Sequence, residues 1–214
     1  MWKLYVILDA EAVGDRDLAW VAQRAIRGGA DVIQLRDKRA TAKTLVEEAA
    51  RVAQVTRAAG VPLIINDRAD VALAVQADGV HLGHEDLPVG LAKSLLGPGR
   101  LVGRSTHSLE EALEAQRAGA DYVAVGPIYP TPTKPDYGSV GLALIGRVKA
   151  LVHRPLVCIG GIDRASLPAV LQAGGECVAV VRAVCAADDP AEAARTLKRL
   201  LLESQRAQMP REHR

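Results

Sequence analysis

Residues 28–35 read GGADVIQL, a turn of small and acidic residues followed directly by a short β-branched run. Three later segments have the same form: QADGVHLG at 76–83, GADYVAVG at 119–126 and GGECVAVV at 174–181. A turn of this composition before an apolar run is typical of the point where a helix ends and a buried strand begins. The four segments therefore predict every second strand of a larger sheet.

Four more apolar runs alternate with these segments and end in polar or glycine residues: KLYVILD at 3–9, PLIINDR at 62–68, RLVGRST at 100–106 and PLVCIGG at 155–161. Segments with helical periodicity follow the runs, for example TAKTLVEEAARVAQVTRAAG at 41–60 and SLEEALEAQRAG at 108–119. Eight apolar strands that alternate with helices predict an α/β fold, a closed parallel (β/α)8 TIM barrel. An open doubly wound sheet is the alternative.

The chain length and composition fit one barrel domain. With 214 residues, 49% of them hydrophobic, the chain can bury one sizeable core. We predict that residues 1–206 form the barrel. The final stretch AQMPREHR, 207–214, predicts a disordered basic tail.

The charge pattern argues against nucleic acid and membrane partners. The net charge is +2 with both signs interspersed, and the chain has no phenylalanine for a base-stacking surface. The sequence shows neither an apolar run of membrane-spanning length nor the pattern of a signal peptide, so we expect a cytoplasmic protein. Cys158, Cys177 and Cys185 lack metal-ligand spacing and are expected to be buried. Small-molecule chemistry is favoured, and a homo-oligomer is left open.

Polar residues close the predicted strands. In a barrel of this kind the chemistry lies on the loops at the carboxyl ends of the strands. The candidates, in chain order, are Asp9; Gln34, Arg36 and Lys38; Asn66, Asp67 and Arg68; Gly83, Glu85 and Asp86; Ser105, Thr106 and His107; Thr131, Thr133 and Lys134; Gly160 and Gly161; and Arg182. One rim is therefore expected to gather cations, carboxylates, hydroxyls and exposed backbone.

Two aspartates near three cations indicate a magnesium–diphosphate site. Asp67 and Asp86 close neighbouring strands, and Arg36, Lys38 and Lys134 belong to the same rim. Mg²⁺ is usually held by one or two carboxylates together with substrate phosphates. Either aspartate alone would equally fit a helix cap.

Two segments late in the chain indicate a second phosphate site. IGGI at 159–162 and VVRAV at 180–184 each precede a predicted helix and offer backbone amides. A single phosphate commonly binds after strands seven and eight of such barrels.

Five motifs occur in order across nearly the whole chain: VIQLRDK, LIINDRADVALAVQADGVHLGHEDLP, GRSTHSLEEA, GPIYPTPTKPDYGSVGL and CIGGI. Together they resemble the thiamine-phosphate synthase family. The resemblance implies a transferase of thiamine biosynthesis. It would join 4-amino-2-methyl-5-hydroxymethylpyrimidine diphosphate to hydroxyethylthiazole phosphate, with Mg²⁺ as cofactor, and release thiamine phosphate and pyrophosphate.

The resemblance also implies roles for individual residues. Asp67 and Asp86 match the magnesium ligands. The positions that match contacts to the pyrimidine diphosphate are Gln34, Arg36, Lys38, Asn66, Ser105 and Lys134. The positions that match contacts to the thiazole phosphate are Thr131, Thr133, Gly161, Val181 and Arg182, where Arg182 replaces the serine usual in the family. Of these, Lys134, Arg36, Lys38 and Ser105 are the expected catalytic residues.

The chemistry expected of this site is a dissociative substitution. The electron-rich aminopyrimidine stabilises a cation as its diphosphate leaves, so the protein's main task is to stabilise the departing pyrophosphate. The attacking thiazole nitrogen carries no proton, and no general base is needed. Four prolines, at positions 127, 130, 132 and 135, are expected to hold the loop with Thr131, Thr133 and Lys134 in place.

Two alternatives remain at this point. A thiazole tautomerase of the same barrel family would use His107 as its acid–base group and would not need the two aspartates or Lys134. A non-catalytic, ligand-binding or regulatory barrel would be expected to lose the charges at the rim.

Overall fold

The computed structural model describes residues 2–132 and 138–208. Its strands are β1 Leu4–Asp9, β2 Val32–Arg36, β3 Leu63–Asn66, β4 Gly79–Leu82, β5 Leu101–Thr106, β6 Tyr122–Val125, β7 Leu156–Ile159 and β8 Val178–Val180. Its helices are α1 Ala10–Val13, α2 Leu18–Arg27, α3 Ala42–Ala59, α4 Ala69–Ala74, α5 Val89–Leu96, α6 Leu109–Arg117, α7 Ala143–Leu151, α8 Leu167–Gln172, α9 Arg182–Cys185 and α10 Pro190–Gln208.

The sheet is a closed parallel barrel. Each strand pairs with the next along the chain, and β1 also pairs with β8, with Leu4 opposite Val178. The predicted (β/α)8 barrel is confirmed, and the open doubly wound sheet is wrong because its two edge strands would not pair.

In three of the four repeated turns the acidic residue is an aspartate that joins consecutive strands at their amino ends. Its carboxylate accepts a hydrogen bond from a backbone N–H of the preceding strand, at the first residue in β1 and β3 and at the second residue in β5. Its own N–H donates to the carbonyl of that same residue. The pairs are Asp31 with Leu4, Asp78 with Leu63, and Asp121 with Val102. These aspartates thus satisfy backbone N–H and carbonyl groups at the amino ends of the strands, where the hydrogen bonds between strands leave them without partners.

Asp78→Ala is expected to lower the free energy of unfolding by about 1–3 kcal/mol, because the N–H of buried Leu63 loses a charged acceptor at 2.8 Å. Thermal or urea unfolding measures the effect. Asp78→Asn keeps an acceptor oxygen and should lose less. Glu114→Ala on the exposed face of α6 is the control and should stay near the wild-type value. Equal stability of Asp78→Ala and Glu114→Ala would contradict this role.

The core has two parts. One lies between the strands and the surrounding helices, and the other fills the barrel, with Tyr5, Ile64, Tyr122 and Val157 among its members. Trp2 packs edge-on against Tyr5 and Tyr122 at the amino end of the strands. All three cysteines are free and buried, as predicted.

Two sequence expectations, on the proline-rich loop and on the tail, concern residues at or beyond the limits of the described ranges. Thr133, Lys134 and Pro135 lie outside the described residues. Helix α10 runs to Gln208, past the start of the predicted tail, and residues 209–214 are also outside the description. Across residues 2–132 and 138–208, none of the helices combines the length and the apolar character that a membrane span requires.

Candidate active site

A cavity of about 500 Å³ opens at the carboxyl ends of the strands. Most of the predicted substrate-binding residues lie in its wall, namely Gln34, Arg36, Asn66, Ser105, Thr131, Gly161, Val181 and Arg182. Residues from β2, β3, β5, β8 and the loops after β6 and β7 therefore meet at one site, as the fold predicts. Lys38, Asp67 and Asp86 are not in this wall and form a separate cluster at the rim.

Arg36 reaches the cavity from the end of β2 and is held by Asp9. The two residues are opposite each other in the β1–β2 register and form an ion pair. Their side chains are only 17% and 5% exposed. Asp9 also caps α1 by accepting from the N–H of Ala12 at 3.1 Å. The position of the guanidinium is thus fixed, and its low exposure strengthens its interaction with any anion in the cavity.

Asp67 and Asp86 meet at the rim next to Lys38. Asp67 follows β3 with a positive φ of 62°, and its backbone N–H donates to the carbonyl of His81 at 2.7 Å. The Asp67 carboxylate forms an ion pair with Lys38, and the carboxyl group of Asp86 lies next to that of Asp67. The ion pair between Lys38 and Asp67 was not predicted, because the family resemblance implied that Lys38 binds the diphosphate and that Asp67 binds the metal.

The two carboxyl groups differ in pKa because their environments differ. Burial raises the pKa of Asp67, and its hydrogen bond with Asp86 raises it further. Burial would also raise the pKa of Asp86, but the hydrogen bond with Asp67 and the N–H of Gly83, at 2.6 Å, outweigh it and lower that pKa. Asp67 is therefore the member of the pair that retains a proton to higher pH, and Asp86 is the member that ionises more readily.

The donor set of this pair fits a hard divalent cation. Two carboxylates within hydrogen-bonding distance offer oxygen ligands only, which Mg²⁺ prefers. Among residues 2–132 and 138–208, no three or more His, Cys, Asp or Glu side chains converge into a cage that would enclose a metal. The pair is thus suited to a cation that completes its coordination with substrate oxygens and water.

Arg104 supports the Asp86 loop and was missed by the sequence analysis. It lies within β5 and donates to the carbonyl oxygens of Gly83 at 2.6 Å and His84 at 3.3 Å. Its charge also contributes to the lowered pKa of Asp86. A charged residue inside an otherwise apolar strand could have indicated that Arg104 has a polar partner at this end of the barrel.

Gly160 and Gly161 allow the loop after β6 to lie directly on the end of β7. Their φ values are +100° and +64°. A Cβ on Gly160 would be 2.4 Å from Cα of Pro127, and one on Gly161 would be 2.7 Å from the carbonyl oxygen of Pro130. These contacts require glycine at both positions. The two glycines that the sequence analysis assigned to phosphate binding are therefore also needed for packing.

His107, the acid–base residue of the tautomerase alternative, also lines the cavity. Its Nδ1 donates to the carbonyl oxygen of Gly126, and its backbone N–H donates to the Glu111 carboxylate at 2.8 Å. The ring is therefore oriented by the backbone at the end of β6.

His81, which the sequence analysis did not include among the site residues, is buried and contributes to the wall of the cavity. It lies on β4, two residues after Gly79, and strand periodicity places both on the inward face. The strand periodicity could therefore have placed His81 among the predicted cavity residues.

The model of the thiamine monophosphate synthase family matches residues 4–184. The thiamine-phosphate synthase of Chloroflexus aurantiacus is 50% identical over 205 residues, which cover 95% of this chain and 94% of that protein. The thiamine-phosphate synthase of Shouchella clausii is 46% identical over 197 residues, 92% of this chain and 94% of that protein.

A solved structure agrees with these sequence relatives. The thiamine phosphate pyrophosphorylase of Pyrococcus furiosus superimposes with a TM-score of 0.87 at 38% identity, covering 95% of this chain and 96% of that chain. The resemblance seen in the motifs is thereby confirmed over nearly the full chain, and the chain belongs to the thiamine monophosphate synthase family.

Proposed function

We propose that this chain condenses 4-amino-2-methyl-5-hydroxymethylpyrimidine diphosphate with hydroxyethylthiazole phosphate to give thiamine phosphate and pyrophosphate. The observation that carries the proposal is the cavity with an anchored arginine in its wall and a pair of neighbouring aspartates at its rim. An anionic substrate with a diphosphate leaving group fits that combination of charges. Family membership and the names of the relatives support it.

The diphosphate would bind across the rim. Arg36 would contact it from the cavity wall, and Lys38 would exchange its partner Asp67 for the diphosphate oxygens. Gln34, Asn66 and Ser105 supply hydrogen-bonding groups for the pyrimidine and the bridging oxygens. Lys134 keeps its proposed role as a further cation, although it lies outside the described residues.

The thiazole phosphate would bind on the opposite side of the cavity. Thr131, Gly161, Val181 and Arg182 line that side, and α9 begins directly at Arg182. Backbone amides at such a helix start suit a phosphate. Arg182 adds a charge that can contact two phosphate oxygens at once, which a serine cannot. Thr133, proposed for the same phosphate, lies outside the described residues.

Asp67 and Asp86 would hold Mg²⁺, which when bound supplies positive charge against the negative charge of the pyrophosphate. The bond between the pyrimidine methylene carbon and the diphosphate oxygen breaks first, and the ring carries the resulting positive charge. Arg36 and Lys38 stabilise the charge that grows on the departing oxygen. The thiazole nitrogen then forms the new C–N bond with its lone pair, so the residues need move no proton.

Incubation of the protein with both phosphorylated substrates and magnesium tests this proposal. Mass analysis should detect thiamine phosphate, and omission of either substrate should abolish it. Isomerisation of a thiazole carboxylate phosphate without condensation would support the tautomerase alternative instead. Binding of the substrates without any product would support the non-catalytic alternative.

A further inference from the structure

A continuous chain of side-chain hydrogen bonds crosses the barrel below the cavity. Gln34 Nε2 donates to the Tyr5 hydroxyl at 2.7 Å, and the Tyr5 and Tyr122 hydroxyls are 2.9 Å apart. The Tyr122 hydroxyl is 3.1 Å from His81 Nδ1, and His81 Nε2 is 2.9 Å from Ser105 Oγ. The two ends, Gln34 and Ser105, both line the cavity.

The barrel is built to hold this chain in place. Gln34, Tyr5, Tyr122 and His81 are at most 6% exposed. Gly103 makes room for Tyr122, because a Cβ there would be 2.0 Å from the ring carbon that bears the hydroxyl. The Tyr122 ring stacks on His81 with centroids 5.5 Å apart and planes 24° apart. Such packing leaves the members little freedom to reorient separately.

The hydrogen bonds have one consistent direction. An amide nitrogen can only donate, so the Tyr5 hydroxyl accepts from Gln34 and passes its own proton towards Tyr122. Burial raises the pKa of both tyrosines, so each keeps its one proton. Tyr122 then donates to His81 Nδ1, the imidazole carries its proton on Nε2, and that proton is donated to Ser105.

This direction determines what each end presents to a ligand. The Gln34 carbonyl oxygen is available as an acceptor, and the Ser105 hydroxyl is available as a donor. Rotation of the Gln34 amide would require every later bond to reverse, including the tautomer of His81. The two ends are therefore coupled and cannot change independently.

We propose that Tyr5, Tyr122 and His81 form a positioning relay that makes Gln34 an acceptor and Ser105 a donor, and thereby selects an aminopyrimidine over its oxo analogue. The inference rests on the proposed function for the identity of the ring. An aminopyrimidine presents an N–H donor beside an accepting ring nitrogen. The 4-oxo analogue inverts the pattern, with an accepting oxygen beside a ring N–H. A Gln34 amide whose carbonyl oxygen is fixed as the acceptor matches the hydrogen-bond pattern of the aminopyrimidine and not that of the 4-oxo analogue.

The test compares the amino substrate with its 4-oxo analogue in the wild type, Tyr5→Phe and Tyr122→Phe. Calorimetry with magnesium and the pyrimidine diphosphate alone measures binding, and steady-state kinetics with the thiazole phosphate measures kcat and KM. Loss of either hydroxyl interrupts the relay, so the Gln34 amide can rotate without reversing the hydrogen bonds that lie beyond the gap. We expect the preference for the amino compound to fall at least tenfold, through KM and Kd, while kcat for the amino substrate changes less than threefold.

Thr56→Val is the matched control, since it removes a buried hydroxyl that donates to the Ala53 carbonyl oxygen within α3, and it should leave the preference unchanged. His81→Gln is an independent second variant that keeps a donor for Ser105 and breaks the link to Tyr122. It should also lower the preference. An unchanged preference in Tyr5→Phe and Tyr122→Phe would overturn the relay. Selective binding without thiamine phosphate production would sustain the relay and refute the proposed function.

Discussion

Arg36→Ala is expected to reduce the turnover number by about a hundredfold to a thousandfold, because one preorganised charge opposite the departing pyrophosphate is removed from a poorly hydrated site. The side chain is held by Asp9 in the wall of the cavity, so its charge is in position before a substrate binds. Steady-state kinetics with both substrates measures the effect. Arg36→Lys should recover only part of the rate, since an ammonium lacks the fork of the guanidinium.

Stability must be separated from catalysis in this variant. Arg36→Ala leaves Asp9, which is 4% exposed, without its partner and should lower the melting temperature. The double variant Arg36→Ala with Asp9→Asn removes the unpaired charge and keeps the cap on α1, so it should regain stability without regaining turnover. Arg39→Ala, which removes an exposed arginine paired with Glu11, is the control. Recovery of turnover in the double variant would refute a direct role for Arg36.

Asp67→Asn and Asp86→Asn are each expected to reduce turnover at least a hundredfold at low magnesium, with partial recovery as magnesium is raised. Each substitution removes a charged ligand from a pair that offers only two. Asp70→Asn is the matched control, because Asp70 lies in the first turn of α4 and pairs with Arg68 at the surface. Wild-type turnover of either variant in the presence of EDTA would refute the assignment of Asp67 and Asp86 as magnesium ligands.

The same pair gives magnesium binding a pH dependence. Burial and the shared hydrogen bond raise the pKa of Asp67, so the metal must displace a proton that this carboxyl retains to higher pH than an ordinary aspartate. The apparent magnesium affinity should therefore fall as the pH is lowered through that raised pKa. Calorimetric titration in buffers of different ionisation enthalpy would measure the released proton.

The sequence predicted the barrel because its repeat has a physical cause. Asp31, Asp78 and Asp121 recur at one point of the unit since each joins the foot of one strand to the next. The rim could be predicted for a related reason. Residues that end parallel strands meet at one edge, so Gln34, Ser105 and the other polar residues were expected to converge before any distance was known.

Features that depend on exact distances could not be predicted. The ion pair between Lys38 and Asp67 requires knowledge of how two loops approach each other. The relay joins Tyr5 to Tyr122 across 117 positions of sequence, and either tyrosine alone looks like an ordinary core residue. The space that Gly103 leaves for Tyr122 is likewise a property of neighbouring strands and has no local signal.

The central claim is that one rim of this barrel drives pyrophosphate departure and C–N bond formation as a single balanced reaction. The most direct test follows both phosphorylated substrates by phosphorus NMR in one mixture with the wild-type protein, with and without EDTA. We predict that thiamine phosphate and pyrophosphate appear in equal amounts, that both require the two substrates, and that EDTA stops both together. Pyrophosphate release without thiamine phosphate, or undiminished formation of both products in EDTA, would contradict the account.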